Sequence, residues 1–273
     1  MKSIAFGQYY PADSILHRLD PRIKIILTIL YIVCSFLCKN LISFALLALS
    51  AIVLILLSRV PVKIVARGLR AVLFVLAFTS VLNIFWTKGE IPLVDWKFIQ
   101  IYPEGIYAAI FIIIRIASLI IGTGMLLTYT TTPIALTDAI EDLLSPLKKL
   151  HVPVHDFAMM MTIALRFIPL LIEETDKIMT AQKARGADFS SGGLTQRIKA
   201  LIPVIIPLFA SAFNRAGDLA TAMECRCYHG GEGRTRMTVR RVRLKDFVAL
   251  FVMILLGGAL IALNILGIGF TMA

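Results

Sequence analysis

VHDFAMMMTIALRFIPLLIEETDKIMTAQKARGAD, residues 154–188, begins as greasy as a membrane span and finishes as polar as a soluble helix. A helical stretch with that gradient reads as one lying along or under a bilayer with its far end in water. It closes on Ala184-Arg185-Gly186, with Thr180-Ala181 just ahead, and Gly186 stands where a left-handed residue ends a helix. The plan returns in Leu194–Tyr228, which carries Pro203 and Pro207 in an apolar first half, turns amphipathic around Arg215 and Asp218, and closes on Cys225-Arg226-Cys227 behind Thr221-Ala222. Arg185 and Arg226 stand 41 residues apart, and the text around them is otherwise different.

The chain has 273 residues, of which 58% are hydrophobic and only 16% charged, against about 25% charged in an ordinary soluble domain. It is therefore read as an all-α polytopic membrane protein. The net charge of +11 fits basic loops at an anionic leaflet. No nucleic-acid partner is expected, since no basic groove interleaved with aromatics is legible. The first 24 residues lack the apolar core of a cleavable signal, so the spans are expected to insert unaided.

Apolar runs fall at 23–37, 41–57, 71–86, 106–127 and 247–268, which gives about five transmembrane helices. The first three are short and would span with Lys24 and Arg59 snorkelling to the interface. The alternative is a re-entrant hairpin of the first two under Lys39-Asn40. Arg18, Arg22 and Lys24 before the first run, and Arg59, Lys63, Arg67 and Arg70 in the loop after the second, place those sides in the cytoplasm. The loop Thr87–Glu104, in which Lys88 and Lys97 are balanced by Glu90, Asp95 and Glu104, then lies outside. The basic stretch RTRMTVRRVRLK at 234–245 flanks the last span on the inside, so the amino terminus is cytoplasmic and the carboxyl terminus external. The division that follows is a membrane domain of four spans at 1–127, a cytoplasmic or interfacial domain of long helices at 128–246, and a last transmembrane helix at 247–273.

Within the insert, Thr132 is an N-cap candidate with Pro133 at the first helical position, and Pro146 bends the helix that follows. His155-Asp156 is read as the cap of the next helix, with Glu173 and Lys177 as a pair one turn apart. Arg115, inside the fourth run, costs at least about 2.5–3.5 kcal/mol at mid-membrane and is read first as an anchor for backbone carbonyls or Asn83, and second as a transport residue. Cys34 and Cys38 are small core residues, and Cys225, Cys227 and His229 lack the partner pair of a zinc site, so no metal is expected.

An arginine at the end of a helix has its planar fork of donors beside the negative pole of the macrodipole. Capping of its own helix accounts for about 0.3–1 kcal/mol and leaves the repeated small-Arg-small context unexplained. Small neighbours leave the guanidinium clear, so that the wall of another protein closes around the tip. Each tip is read as a plug for an acidic or carbonyl-lined socket. Met159, Met160 and Met161, with the apolar half of the following helix, form an adaptable greasy surface for a partner, or else pack between the two helices.

These residues resemble the transmembrane T component of energy-coupling factor (ECF) vitamin and metal transporters. Ala184-Arg185-Gly186 and, in altered form, Cys225-Arg226-Cys227 are similar to that family's pair of Ala-Arg-Gly-type triplets at the ends of two coupling helices. GQYYPADSILHRLDPRIKI, residues 7–25, looks like its amino-terminal segment. The resemblance implies two cytoplasmic ABC-type ATPases, one docked at each triplet, and a membrane-embedded substrate-binding S component. It implies vitamin or micronutrient uptake, with nucleotide-driven movement of the coupling helices making the S component release its cargo. ATP would be bound by the partner subunits, and this chain would carry no cofactor and no catalysis of its own. Where the second triplet departs from the pattern, Cys227 is expected to resist a positive φ and to let its helix run on toward Gly230.

Two other classes compete. A membrane-bound lipid or isoprenoid enzyme would use Asp138, Glu141, Asp142, Glu173 and Glu174, although helical spacing beside lysines makes them more simply a solvated face. A secondary transporter lacks its inverted repeat and glycine-broken helices here. No Walker A, G-x-S-x-G or H-E-x-x-H motif occurs.

Overall fold

The protein is described from a computed structural model covering residues 9–86, 94–96, 99–150, 152–189, 193–230 and 242–266. In chain order, α1 is Pro21–Leu37, α2 Leu41–Ser58 and α3 Val62–Trp86. A short antiparallel pair, β1 Val94–Trp96 and β2 Ile99–Ile101, leads into α4 at Pro103–Thr123, which continues through a π-helical turn at Gly124–Thr128. There follow α5 Pro133–Leu143, a 3₁₀ segment Ser145–Leu150, α6 Val154–Ala184, α7 Leu194–Cys225 and α8 Leu244–Ile265. The architecture is helical, with six helices among the described residues long and apolar enough to cross a membrane: α2, α3, α4 with its π turn, α6, α7 and α8. The chain forms two compact units, Gly7–Leu136 with Val239–Ala273, and Met1–Phe6 with Thr137–Thr238.

In the first of these units α1 is the axis. Its Leu27 and Tyr31 pack with Phe44, Leu47, Leu126 and Leu260 into one apolar core. Gly122 on α4 is needed there, because a Cβ would collide with the Tyr31 ring. With only 17 residues α1 is short for a span, and neighbours hold both of its ends. At its start Asp20 accepts from Arg22 N at 3.0 Å, while Asp20 N donates to Asp246 Oδ1 at 2.8 Å. Asp246 Oδ2 accepts from Arg243 N at 2.7 Å, so a single carboxylate ties the first turns of α1 and α8.

At the far end of α1, Asn264 Nδ2 donates to Leu37 O and Arg115 Nη2 donates to Cys38 O at 2.9 Å. Arg115 also lies over the Phe44 ring, 5.1 Å from its centroid, and Phe44 stacks on Phe111. The intramembrane arginine is thus a carbonyl anchor, as expected, although Asn83 is not its partner. Asn83 Nδ2 donates to Thr79 O on its own helix.

Three expectations change. Lys24 does not snorkel: it is 2% exposed and its Nζ donates to Thr130 O at 2.9 Å and Thr131 Oγ1 at 3.3 Å, just past the π turn. The stretch holding Lys63, Arg67 and Arg70 is no loop, because α3 starts at Val62 and runs 25 residues, so the third span is not short. The α-helix before Pro146 stops at Leu143 rather than bending, and a 3₁₀ segment begins at Ser145. Thr132 does cap α5, accepting from Ala135 N at 3.3 Å. Lys88, Glu90, Lys97 and residues 234–241 of the basic stretch lie outside the described residues.

Candidate functional site

Helices α6 and α7 run 31 and 32 residues and meet at a charged cross-link. Glu174 Oε2 accepts from Arg215 Nη2 at 3.0 Å, and Glu174 Oε1 accepts from Ser211 Oγ at 2.6 Å. Arg215 Nε in turn donates to Ser211 Oγ at 3.4 Å. The Ser211 hydroxyl, with Arg215, holds the Glu174 carboxyl below the usual carboxylate range. Glu174 and Arg215 are 41 residues apart, the same interval that separates Arg185 from Arg226. The helices therefore touch at equivalent positions, and from that point each arginine lies about 16 Å further on at 1.5 Å per residue. The sequence pairing of Glu173 with Lys177 gives way to this link, and the shared interval was the signal that would have found it.

The two ends are built alike. At the end of α6, Gly186 N donates to Lys183 O and Ala187 N to Gln182 O, both at 3.0 Å, and Gly186 has φ +87°. At the end of α7, Cys227 N donates to Glu224 O at 2.8 Å and Tyr228 N to Met223 O at 3.0 Å. This is the Schellman turn twice over, with an arginine as the cap residue each time. The backbone of Arg185 has φ −87° and ψ 6°, and that of Arg226 has φ −92° and ψ 15°.

Cys227 overturns the expectation set for it. It adopts φ +55°, and α7 ends at Cys225 instead of continuing toward Gly230. A non-glycine residue costs about 1–2 kcal/mol in that region, and the two turn hydrogen bonds offset the strain. Cys227→Gly is accordingly expected to raise the thermal stability of the detergent-purified chain by up to about 1 kcal/mol without altering the turn. Unchanged or lower stability, read from the melting midpoint, would show that the turn is not strained.

Arg185 and Arg226 are both exposed, and neither side chain has a partner among the described residues. Ala184, Gly186, Cys225 and Cys227 beside them are exposed too, and a Cβ on Gly186 would meet nothing within 4 Å.

The beginning of α6 differs from its expected form. Its first residue is Val154 and its cap position is Pro153, so His155 and Asp156 sit within the first turn rather than capping it. His155 Nδ1 instead donates to Glu141 Oε1 at 3.1 Å, which ties the far part of α5 to α6. Met160 and Met161 are exposed and Met159 half-buried. On α7 a stripe, Ile198, Ile202, Ile205, Phe209 and Phe213, repeats at helical spacing and is exposed throughout. Of the candidate carboxylates, Glu141 and Glu174 are engaged as described. No three His, Cys, Asp or Glu side chains are grouped to hold a metal ion among the described residues.

Residues 12–237 match the family model CbiQ, described as cobalt transport protein. The chain is 56% identical over 237 residues to the energy-coupling factor transporter transmembrane protein EcfT of Ruminiclostridium cellulolyticum, covering 87% of this chain and 88% of that one. It is 50% identical over 250 residues to the protein of the same description from Clostridium kluyveri, covering 91% and 92%. The Bacillus subtilis protein so described is 49% identical over 236 residues, covering 86% and 89%.

Proposed function

Since the chain belongs to the CbiQ family and is a transmembrane component of an energy-coupling factor transporter, we propose that it links two cytoplasmic ABC-type ATPases to a substrate-binding S component. Arg185 and Arg226, each flanked by small residues, are the two docking tips. The observation that carries this reading is the repeated turn: two helices end in one geometry, each presenting an exposed arginine without a partner among the described residues. A side chain that only capped its own helix would be engaged with its own carbonyls.

In this reading α1, α2, α3, α4 and α8 are the spans, with the amino terminus cytoplasmic and the carboxyl terminus external. Helices α6 and α7 are coupling helices even though they are long enough to span. They have the lowest mean hydropathy of the six candidates, carry Pro169, Pro203 and Pro207 in their interiors, and end in water-exposed arginines. The Glu174–Arg215 link makes them move together, so that a displacement at one tip is felt at the other. Met159, Met160 and Met161, with the exposed stripe of α7, offer the S component a surface that repacks against unlike partners. The chain itself would be non-catalytic, with ATP held by the ATPases and the vitamin or other micronutrient by the S component.

Affinity capture of the tagged chain from its own membranes in mild detergent tests the reading. Two ATPase subunits and an S component should remain attached to each copy, with photo-cross-links from Met160 reaching the S component. A chain that purifies alone and turns over a lipid substrate, or that moves solute on an ion gradient, would replace this function with one of the competing classes.

A further inference from the structure

Between α1, α2 and α8 runs a crevice of about 700 Å³, walled by Leu46–Leu57 on α2 and Leu244–Leu256 on α8 and floored by the buried Leu27, Tyr31 and Leu126. Its lining is almost wholly apolar, and the hydroxyls within it are already engaged: Ser50 Oγ donates to Leu47 O at 2.6 Å and approaches Tyr31 Oη at 3.5 Å. One cation, Lys245, lines it. We propose that this crevice holds one acyl chain of an anionic phospholipid, with the lipid phosphate against Lys245.

Three features favour that occupant. The first is length. The walls run from Leu46 to Leu57 and from Leu244 to Leu256, about 17 and 18 Å at 1.5 Å per residue, which is close to one leaflet of a hydrocarbon core about 30 Å thick. The second is direction. Asn40 Nδ2 donates to Leu263 O and Ser43 Oγ to Asn264 Oδ1, so the start of α2 meets the end of α8 and the two helices are antiparallel. Those bonds close the crevice at its inner end. Leu57 and Lys245 therefore share the other end, where Arg59 caps α2, exposed and with φ 56°. A transmembrane helix of a partner needs the full bilayer thickness, which this dead-ended slot does not offer, whereas an acyl chain entering from one leaflet fills it.

The third feature is charge. Lys245 and Arg59 are both exposed at that end, and the carboxylate that follows Lys245 in the chain, Asp246, is turned inward and occupied by Asp20 N and Arg243 N. A phosphate at this position meets cations before it meets Asp246. The rim residues Leu49, Val53, Val248 and Val252 are 44–60% exposed, so the slot opens sideways to lipid rather than being sealed in the core.

The test is native mass spectrometry of the intact chain in mild detergent, delipidated and titrated in parallel with phosphatidylglycerol and phosphatidylcholine. One phosphatidylglycerol should be retained per chain, bound about fivefold more tightly than phosphatidylcholine, the factor one lysine supplies at an anionic surface. Lys245→Glu should abolish that preference, and Ala249→Trp, which fills the half-buried wall of α8, should abolish retention of both lipids. Val252→Trp, on the exposed rim, repeats the block without touching the core, should Ala249→Trp lower the melting temperature. Equal binding of the two lipids by the unaltered chain, retention undiminished by both tryptophan variants, or a lipid-free dimer or partner complex seated on α2 and α8 would each overturn the proposal.

Discussion

The chain carrying both Arg185→Glu and Arg226→Glu is expected to come out of the membrane folded and without its ATPases. Each tip is exposed and makes no side-chain contact of its own among the described residues, so the substitutions leave the helices intact. The two turns are held by backbone bonds, Gly186 N to Lys183 O and Cys227 N to Glu224 O, which a side-chain change does not reach. Opposite an acidic or carbonyl-lined socket the new carboxylate replaces attraction with repulsion. A buried arginine anchor at an interface is worth about 2–4 kcal/mol, or 30- to 1,000-fold in affinity. Each single variant should therefore bind ATPase more weakly by that factor, and the double variant should retain none. Arg185→Lys and Arg226→Lys should fall between, since they keep the charge but lose the planar fork. Pull-down of the ATPases by each purified variant reads the series directly.

The largest expected loss of stability comes from a different place. Asp246 is 2% exposed, and its two oxygens take Asp20 N and Arg243 N at 2.8 and 2.7 Å. In Asp246→Ala both donors lose their acceptor at once. The buried Asp20 N left unpaired costs about 1–3 kcal/mol and the part-buried Arg243 N less, so the loss is a few kcal/mol, a large part of the stability of a typical domain. The variant should melt at markedly lower temperature in detergent or fail to accumulate. Asp246→Asn keeps one carbonyl oxygen but points an amide toward the second donor, and should recover about half of the loss. Full stability in Asp246→Ala would mean that the starts of α1 and α8 are not held together by this carboxylate.

Much of the fold could be read from the apolar runs, because a helix in lipid writes its span as uninterrupted hydrophobicity. What those runs concealed was direction. Lys24 one turn inside α1 could equally reach outward to the interface or inward, and the Thr130 carbonyl and Thr131 hydroxyl, just past a π turn far away in sequence, draw it in. Likewise Lys63, Arg67 and Arg70 look like a loop because they are charged, yet they ride on the first turns of α3. Charge marks the interface and does not by itself end a helix.

The two tips were legible because their signal is local: a small-Arg-small triplet, a preceding Thr-Ala and a repeat interval. Cys227 was misjudged because intrinsic backbone cost was weighed without the two hydrogen bonds that fix the turn. The helical i,i+4 rule pairs Glu173 with Lys177 because it sees only one helix, whereas the partners of Glu174, Ser211 and Arg215, come from the next.

The most direct measurement of the central claim uses thiols the chain already carries. Cys34 and Cys38 are buried, and Cys225 and Cys227 are exposed on either side of Arg226. A thiol-reactive photo-cross-linker on the intact transporter should therefore label the α7 tip alone. The account predicts a covalent adduct with an ATPase subunit, lost in the Arg226→Glu variant. Adducts confined to lipid or to this chain's own residues would contradict it.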